Sequence, residues 1–283
     1  MHRKRILLIL FILLLLQACK NKQNIFTSYN PQPISQRQLA LIDSILQDGL
    51  DKEALYTLLS DIKPISSLTL HQVPLANSDS TKRICAKVVD SEEKRIHIQR
   101  LTEIQTAINK INLPDLRIVM VPYLAAQDSV RLMQVSAVRI SLLDSLLKAK
   151  ESFFAQFGLV PGTDPAVVLS TIENAGDYER LRGYGYLFGY PDYAVDFFVE
   201  ASYTSLQTGK FVPRNFFQIP VYQGNDGYFV YAYPKNHKPT METDSTLYYR
   251  SMDVLKKYRT FRNNYLNPDS TLQAYKLLRD VAR

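Results

Sequence analysis

Three carboxylates recur at helical spacing in the middle of the chain. Asp192, Asp196 and Glu200 are four residues apart, so a helix would place them on one face. Such a row could bind a cation or supply an acid and a base, but no histidine or second carboxylate motif is paired with it by spacing. The pattern therefore favours a solvated acidic edge over a metal or acid–base site.

Familiar catalytic signatures are missing from the sequence. It contains no zinc-protease, dithiol, nucleophile-elbow or phosphate-loop motif, and the histidines are scattered. We therefore predict no catalytic residue, no bound metal and no cofactor. A site assembled by folding stays open as the alternative. That alternative site would use His97, Asp192, Asp196 and His237.

Glycines are concentrated just before the acidic row. Gly183, Gly185 and Gly189 are spaced G-x-G-x-x-x-G, and a helical segment precedes them where a dinucleotide-binding loop needs a strand. We therefore do not expect a nucleotide site here. The glycines predict instead a helix that packs closely on a neighbour.

Aromatic residues are the one compositional excess, with 18 Tyr, 13 Phe and no Trp. Tyrosine has a flat apolar face and a polar tip, which suits contact with a saccharide or peptide as well as half-buried packing. Packing is the preferred interpretation, and the lack of Trp weakens the saccharide variant. The candidate binding residues of this segment are Tyr184, Tyr186, Tyr190, Tyr193, Asp192 and Asp196.

Basic residues concentrate at the C-terminal end. The formal net charge is +7, and from Arg250 onward eight basic residues accompany three acidic ones. This end could meet anionic headgroups, acidic glycans or an acidic partner, with Arg259 and Arg262 as candidate contacts. A solubilising face is the plainer interpretation. Nucleic acid is not an expected partner, because the N-terminus indicates export.

The N-terminus carries the strongest signal in the chain. A basic segment, residues 1–5, precedes an apolar run over residues 6–16 that is too short to cross a bilayer but typical of a secretory signal. The run ends in Leu16-Gln17-Ala18-Cys19, which resembles the lipobox of bacterial lipoproteins of the Bacteroidetes type.

This resemblance implies that residues 1–18 are a signal peptide and that Cys19 carries acyl chains such as palmitate. Three chains would anchor the protein almost permanently, since one chain alone binds a membrane only marginally. The residue after the cysteine is Lys20, not Asp, and no acidic residue follows closely. By the sorting rules of such lipoproteins, this implies the periplasmic face of the outer membrane.

With Cys19 acylated, Cys85 is the one remaining thiol, so no intramolecular disulfide is expected. Its strand-like surroundings favour a small buried hydrophobe over a nucleophile.

Hydrophobic periodicity separates a tether from a folded domain. Residues 19–36 predict a flexible lipidated tether, and residues 37–283 predict a single globular domain, with a sub-boundary near 158–164 left open. Helices are predicted as a pair over 37–62 and at 98–111, 138–157, 165–175, 244–266 and 268–281. Strands are predicted at 67–73, 83–89 and 116–121, with 130–135 left open as a partner strand, and a hairpin is predicted at 215–233 around Gly224-Asn225-Asp226-Gly227.

These elements predict a mixed α+β, helix-dominated fold with helices packed on a small sheet, a β-hairpin near 215–233 and two C-terminal helices. The expected function is a non-catalytic, membrane-anchored envelope lipoprotein that binds a ligand or a partner such as a protein, glycan or peptide. An envelope-polymer hydrolase or transferase and a structural subunit of an envelope assembly are the alternatives. A pocket with convergent polar groups would favour the enzyme, a flat apolar patch the subunit, and an aromatic groove ligand binding.

Overall fold

The computed structural model describes residues 33–73, 76–79, 84–88, 92–127 and 130–281. Helices predominate and the strands form small antiparallel sheets, so the predicted helix-dominated α+β class is confirmed. No helix among the described residues combines the length and the apolar composition that a membrane span requires.

The helices are α1 (Gln36–Asp51), α2 (Leu55–Leu58), α3 (Glu92–Ile108), α4 (Ile140–Ala149), α5 (Glu151–Phe154), α6 (Pro165–Glu173), α7 (Asp177–Leu187), α8 (Asp192–Thr208), α9 (Thr246–Phe261) and α10 (Ala274–Val281). The strands are β1 (Ile65–Val73), β2 (Ala76–Asp79), β3 (Ile84–Val88), β4 (Leu116–Gln127), β5 (Val130–Arg139), β6 (Arg214–Val221) and β7 (Gly224–Pro234). Single turns of 3-10 helix follow α5 and α9, and a π-helical turn, Met241–Ser245, precedes α9.

Helix α1 begins with a reciprocal cap. The Ser35 hydroxyl accepts from the Gln38 N–H at 3.3 Å, and the Gln38 side-chain oxygen accepts from the Ser35 N–H at 3.1 Å. Its partner α2 has only four residues, which is shorter than predicted, because the chain soon turns through Pro64 into β1.

A three-stranded sheet in the order β1-β5-β4 lies at the centre of the fold, and both pairings are antiparallel. The open pairing of the 130–135 segment with β4 is therefore decided in favour of a strand. That strand continues to Arg139, so the helix predicted from residue 138 starts two residues later and is interrupted at Lys150. The predicted strand 83–89 pairs with β2, which the sequence patterns missed.

The core lies where α4, α6 and α7 cover this sheet. Val121 and Val138 of the sheet pack in one cluster with Leu147, Phe154 and Ile172. From Ser35 onward the chain forms one compact unit around such buried side chains. A unit with its own core can fold without the segment that precedes it.

The β6–β7 hairpin forms where it was predicted, but its turn lies two residues earlier. Val221 pairs with Gly224, so Tyr222 and Gln223 make the turn, and Gly224 takes a φ of +79°. The turn predicted around residues 224–227 instead begins β7.

Two further helix ends differ from prediction. Helix α6 ends at Glu173 with Asn174 as its C-cap, and Gly176 is the N-cap residue of α7 with an ordinary negative φ. The last helix begins at Ala274, not at Pro268, because the intervening segment folds back through a bridge between Leu266 and Leu272.

Candidate functional site

Helices α7 and α8 form one wall of a cavity, and α7 packs closely against both α6 and α8. A Cβ on Gly183 would lie 2.7 Å from Ile172 Cγ2, and one on Gly185 would lie 2.8 Å from Val195 Cγ2, closer than any larger residue tolerates. The turn between α7 and α8 contains Gly189, whose φ is +73°. The close helix packing predicted from the glycine spacing is confirmed.

The β6–β7 hairpin forms the opposite wall. Phe216 and Ala232 are paired across the hairpin, and paired residues of an antiparallel ladder share a face. Both line the cavity together with Tyr231, whose ring stacks on that of Phe217 at 5.2 Å between centroids. Phe217 and Tyr231 are the next pair of the ladder, so they lie on the face opposite to Phe216 and Ala232, and the hairpin lines the cavity with both aromatic and aliphatic residues.

Between these walls and β4 lies a cavity of about 440 Å³, which we call the aromatic pocket. Its aromatic lining is Tyr123, Tyr184, Phe188, Tyr190, Phe198, Phe216 and Tyr231. Its remaining lining is Arg180, Leu181, Gly185, Ala194, Val195, Val230 and Ala232. The volume falls within the range of about 300–1,000 Å³ that is usual for small-molecule sites.

The one charged side chain in this lining is neutralised by a neighbour. Arg180 binds Glu173 through two hydrogen bonds of 3.1 and 3.2 Å, and Glu173 is fully buried. The Tyr184 hydroxyl donates to the same carboxylate at 2.7 Å. These groups are engaged with one another, so this wall is electrically neutral toward a ligand.

A second buried carboxylate holds the base of the hairpin. Asp244 accepts from the hydroxyls of Tyr193 at 2.5 Å and Tyr231 at 2.6 Å, and from the Thr240 N–H at 2.6 Å. Burial raises the pKa of Asp244, but these hydrogen bonds outweigh burial and hold the pKa below its ordinary value. His237 lies against the Tyr193 ring, 4.5 Å between centroids, and its Nε2 is buried with no hydrogen-bond partner in the described structure.

A lysine lies behind the aromatic rings. Lys63 is fully buried, and its Nζ is 2.8 Å from Glu53 Oε2 and 4.3 Å from the Phe229 ring centroid. Phe229 in turn stacks on Tyr190 of the pocket lining, 5.8 Å between centroids. Burial lowers the pKa of Lys63, and Glu53 opposes that shift. The lysine therefore supports the pocket from behind.

A larger open groove, about 900 Å³, runs along α1, but its carboxylates already have structural partners. Asp43 accepts from the Tyr275 N–H at 2.8 Å, and Asp51 pairs with Arg262 at 2.9 Å. We therefore base the candidate site on the aromatic pocket. Its lining is mainly apolar, so a ligand could bury its own apolar surface there.

Two of the four predicted tyrosines lie in the pocket lining. Tyr184 and Tyr190 line it, whereas Tyr186 packs against Phe153 on the other side of α7 and Tyr193 binds Asp244. The sequence could not separate these pairs, because the side each tyrosine faces depends on the packing of α7 and α8.

The two predicted acidic contacts lie outside the pocket and are ion-paired. Asp192 pairs with Lys150 and Asp196 with Arg182, and both carboxylate side chains are more than half exposed. The preferred interpretation of a solvated acidic edge is therefore confirmed. In the part of the chain that the structure describes, no three metal-ligating side chains gather at one place.

The remaining predicted residues are dispersed. Arg259 is exposed on α9, but Arg262 is mostly buried by its pairing with Asp51, which removes it as a surface contact. His97 lies on α3 and His237 follows β7, so the two histidines of the alternative catalytic set lie on different elements. Cys19 lies outside the described residues. The backbone of Cys85 lies in β3, as predicted, and the structure does not describe its side chain.

Sequence reasoning missed several pocket residues, notably Tyr123, Phe188, Phe198, Phe216 and Tyr231. The signal that could have found most of them is the aromatic excess, which is dense from residue 178 to 233.

Comparison with known proteins finds no match. No protein-family model, no curated protein and no solved structure is significantly similar to this chain. The argument for ligand binding therefore depends on the geometry of the pocket.

Proposed function

We propose that this protein is a membrane-anchored envelope lipoprotein that binds an apolar ligand in the aromatic pocket without transforming it. The observation that carries the proposal is the pocket itself, a preformed cavity whose lining is mainly aromatic and aliphatic. Transfer of apolar ligand surface out of water into such a cavity is favourable by roughly 25 cal/mol per Å². A preformed pocket of this kind favours ligand binding over the structural-subunit alternative.

The engagement of the polar groups favours binding over catalysis. Arg180 and Tyr184 are held by Glu173, and Tyr231 is held by Asp244. A general acid or base must reach the substrate with a free proton or lone pair. Groups fixed in this way orient the walls of the pocket.

The anchoring part of the proposal rests on the lipobox-like Leu16-Gln17-Ala18-Cys19. The sequence predicts a tether over residues 19–36, and a flexible chain of 18 residues would have a root-mean-square length of about 21–25 Å, which would keep the folded unit close to the membrane surface. This agrees with an apolar ligand taken from or delivered to the periplasmic face of an outer membrane. Cys19→Ala should prevent incorporation of labelled fatty acid, and labelling of that variant after cleavage would contradict the anchor.

Ligand binding can be tested with a neutral fluorescent probe. 1-Aminoanthracene brightens in apolar sites, and a soluble chain beginning at Lys20 retains the compact unit. We expect saturable binding of one probe per chain, with displacement by decan-1-ol.

A cavity-filling variant locates the probe. Ala232→Phe adds a ring inside the pocket and should weaken probe binding at least tenfold, whereas Ala155→Phe adds the same ring at an exposed position and should leave binding unchanged. Equal binding by the two variants, with both folded by circular dichroism, would place the probe elsewhere. Absence of saturable binding to the parent chain would contradict the proposed function.

A further inference from the structure

An arginine lies beside the aromatic pocket at the start of β6. Arg214 and Phe216 are two residues apart on the strand and therefore share a face. The guanidinium carbon of Arg214 is 5.5 Å from the ring centroid of Phe198, and both phenylalanines line the pocket. The positive charge of Arg214 is thus next to the pocket lining.

Aromatic rings hold this guanidinium in place. Its carbon also lies 4.6 Å from the ring centroid of Phe211 and 6.0 Å from that of Phe197. The Arg214 Nε donates to the Val212 carbonyl at 3.2 Å. These contacts fix the plane of the guanidinium and leave its two terminal nitrogens for another acceptor.

No carboxylate pairs with Arg214 among the residues that the structure describes. This distinguishes it from Arg180, Arg182 and Arg262, each of which is bound to an aspartate or a glutamate. A planar guanidinium with free terminal N–H groups matches the two oxygens of a carboxylate or a phosphate.

We infer that the ligand of the aromatic pocket is an anionic amphiphile, with its apolar chain inside the pocket and its anionic group on Arg214. This inference rests on the proposed function, because it requires the pocket to bind an apolar chain. The shared chemistry is a carboxylate or phosphate on an acyl chain, and a free fatty acid and a membrane phospholipid would both provide it.

The surface around Arg214 agrees with an amphiphile that arrives from a membrane. Phe211, whose ring contacts the Arg214 guanidinium, and Phe216, which shares a strand face with Arg214, are 71% and 56% exposed. Large exposed apolar side chains next to a cation are typical of surfaces that contact anionic lipid. The anion and the chain of one molecule would satisfy both parts of this surface.

The test compares dodecanoate with dodecan-1-ol, which share a chain and differ in the anion. Isothermal titration of the soluble chain from Lys20 should show dodecanoate binding about tenfold tighter, which corresponds to about 1.4 kcal/mol. Arg214→Gln should remove this preference while leaving dodecan-1-ol binding within about twofold, since that measurement reports whether the pocket is intact. Arg250→Gln is the matched control, because it removes the same charge from an exposed arginine of α9.

The possible outcomes separate the inference about Arg214 from the proposed function. Equal binding of the two ligands, or a preference that survives Arg214→Gln, overturns the inference and leaves the proposed function standing. Loss of the preference in Arg250→Gln as well overturns it too, because the effect would then be one of net charge. Failure of both ligands to bind overturns the proposed function along with the inference.

A second experiment distinguishes a phospholipid from a free fatty acid as the source of the acyl chain. The protein is mixed with vesicles of phosphatidylcholine alone or of phosphatidylcholine with phosphatidylglycerol, and co-sedimentation is measured. Sedimentation that requires phosphatidylglycerol and Arg214 supports a phospholipid ligand. Dodecanoate binding without such sedimentation supports a free fatty acid.

Discussion

Replacing Asp244 tests whether one buried carboxylate holds the pocket wall in place. Its carboxylate joins Tyr193 of α8, Tyr231 of β7 and the backbone of Thr240. Asp244→Ala would leave all three donors without this acceptor. Asp253→Ala, an exposed aspartate on α9, is the matched control, and we expect it to change stability by no more than about 0.5 kcal/mol.

The expected loss follows from the burial of each donor. Tyr231 is 3% exposed, so leaving its hydroxyl without an acceptor should lower the free energy of unfolding by about 1–3 kcal/mol. The Tyr193 hydroxyl and the Thr240 N–H have more access to water and lose about 0.5–1.5 kcal/mol each. The total is about 4 kcal/mol, or a fall in Tm of about 8–16 °C at the 2–4 °C per kcal/mol typical of domains of 150–250 residues.

The same carboxylate gives stability a dependence on acid pH. The folded-state pKa of Asp244 lies below its ordinary value of 3.8, so its contribution is fully present above the unfolded-state pKa and is lost as the pH falls through the folded-state pKa. Asp244→Asn removes this ionisation. We expect the difference in urea midpoint between the parent chain and Asp244→Asn to be constant from pH 7 to 5 and to shrink below about pH 4.

A double-mutant cycle shows whether the hydrogen bond itself carries the loss. Tyr231→Phe should destabilise the parent chain by about 1–2 kcal/mol and should cost far less in the Asp244→Ala background, because the acceptor is already gone. Purely additive losses, or an Asp244→Ala chain as stable as Asp253→Ala, would refute the assignment of Asp244 as the acceptor that holds this wall.

Two further pairs of substitutions test the packing around the pocket, all by urea denaturation followed by circular dichroism. Gly185→Ala should cost about 1–3 kcal/mol because its Cβ would meet Val195 at 2.8 Å, and Val195→Ala should cancel part of that loss; no rescue would argue against the close contact. Lys63→Met should be within about 1 kcal/mol of the parent or more stable, whereas Glu53→Gln should cost about 3 kcal/mol by leaving the buried ammonium unpaired, and the reverse order would be contrary to this reasoning. Because burial lowers the pKa of Lys63, the stability of the parent should rise as the pH increases from the folded-state pKa to the unfolded-state pKa, and Lys63→Met should lose that rise.

Local elements of the fold were largely predictable because their signals are local. The capped start of α6 at Asp164-Pro165 and the β6–β7 hairpin both form where spacing and turn residues predict them. Errors occurred at element ends. Arg139 continues β5 because its backbone pairs with β4, and that pairing depends on a segment about 20 residues away in sequence.

The pocket was only partly predictable, because its walls come from distant segments. Tyr184 and Tyr190 were identified as candidates, but they differ from Tyr186 and Tyr193 only in which neighbour their helix face meets. Arg262 was predicted as a surface cation, yet it pairs with Asp51 more than 200 residues away.

The sequence by itself determined the class of the fold, the close approach of helices at Gly183 and Gly185, and the solvated row of acids on α8, because each depends on spacing within one segment. The tertiary structure alone decided which side chains enclose a cavity and which charges are cancelled. Arg180 acquired a buried partner and Arg214 acquired aromatic faces in place of a carboxylate. The physical reason is that burial and pairing are properties of surfaces brought together by long-range packing, which no local pattern encodes.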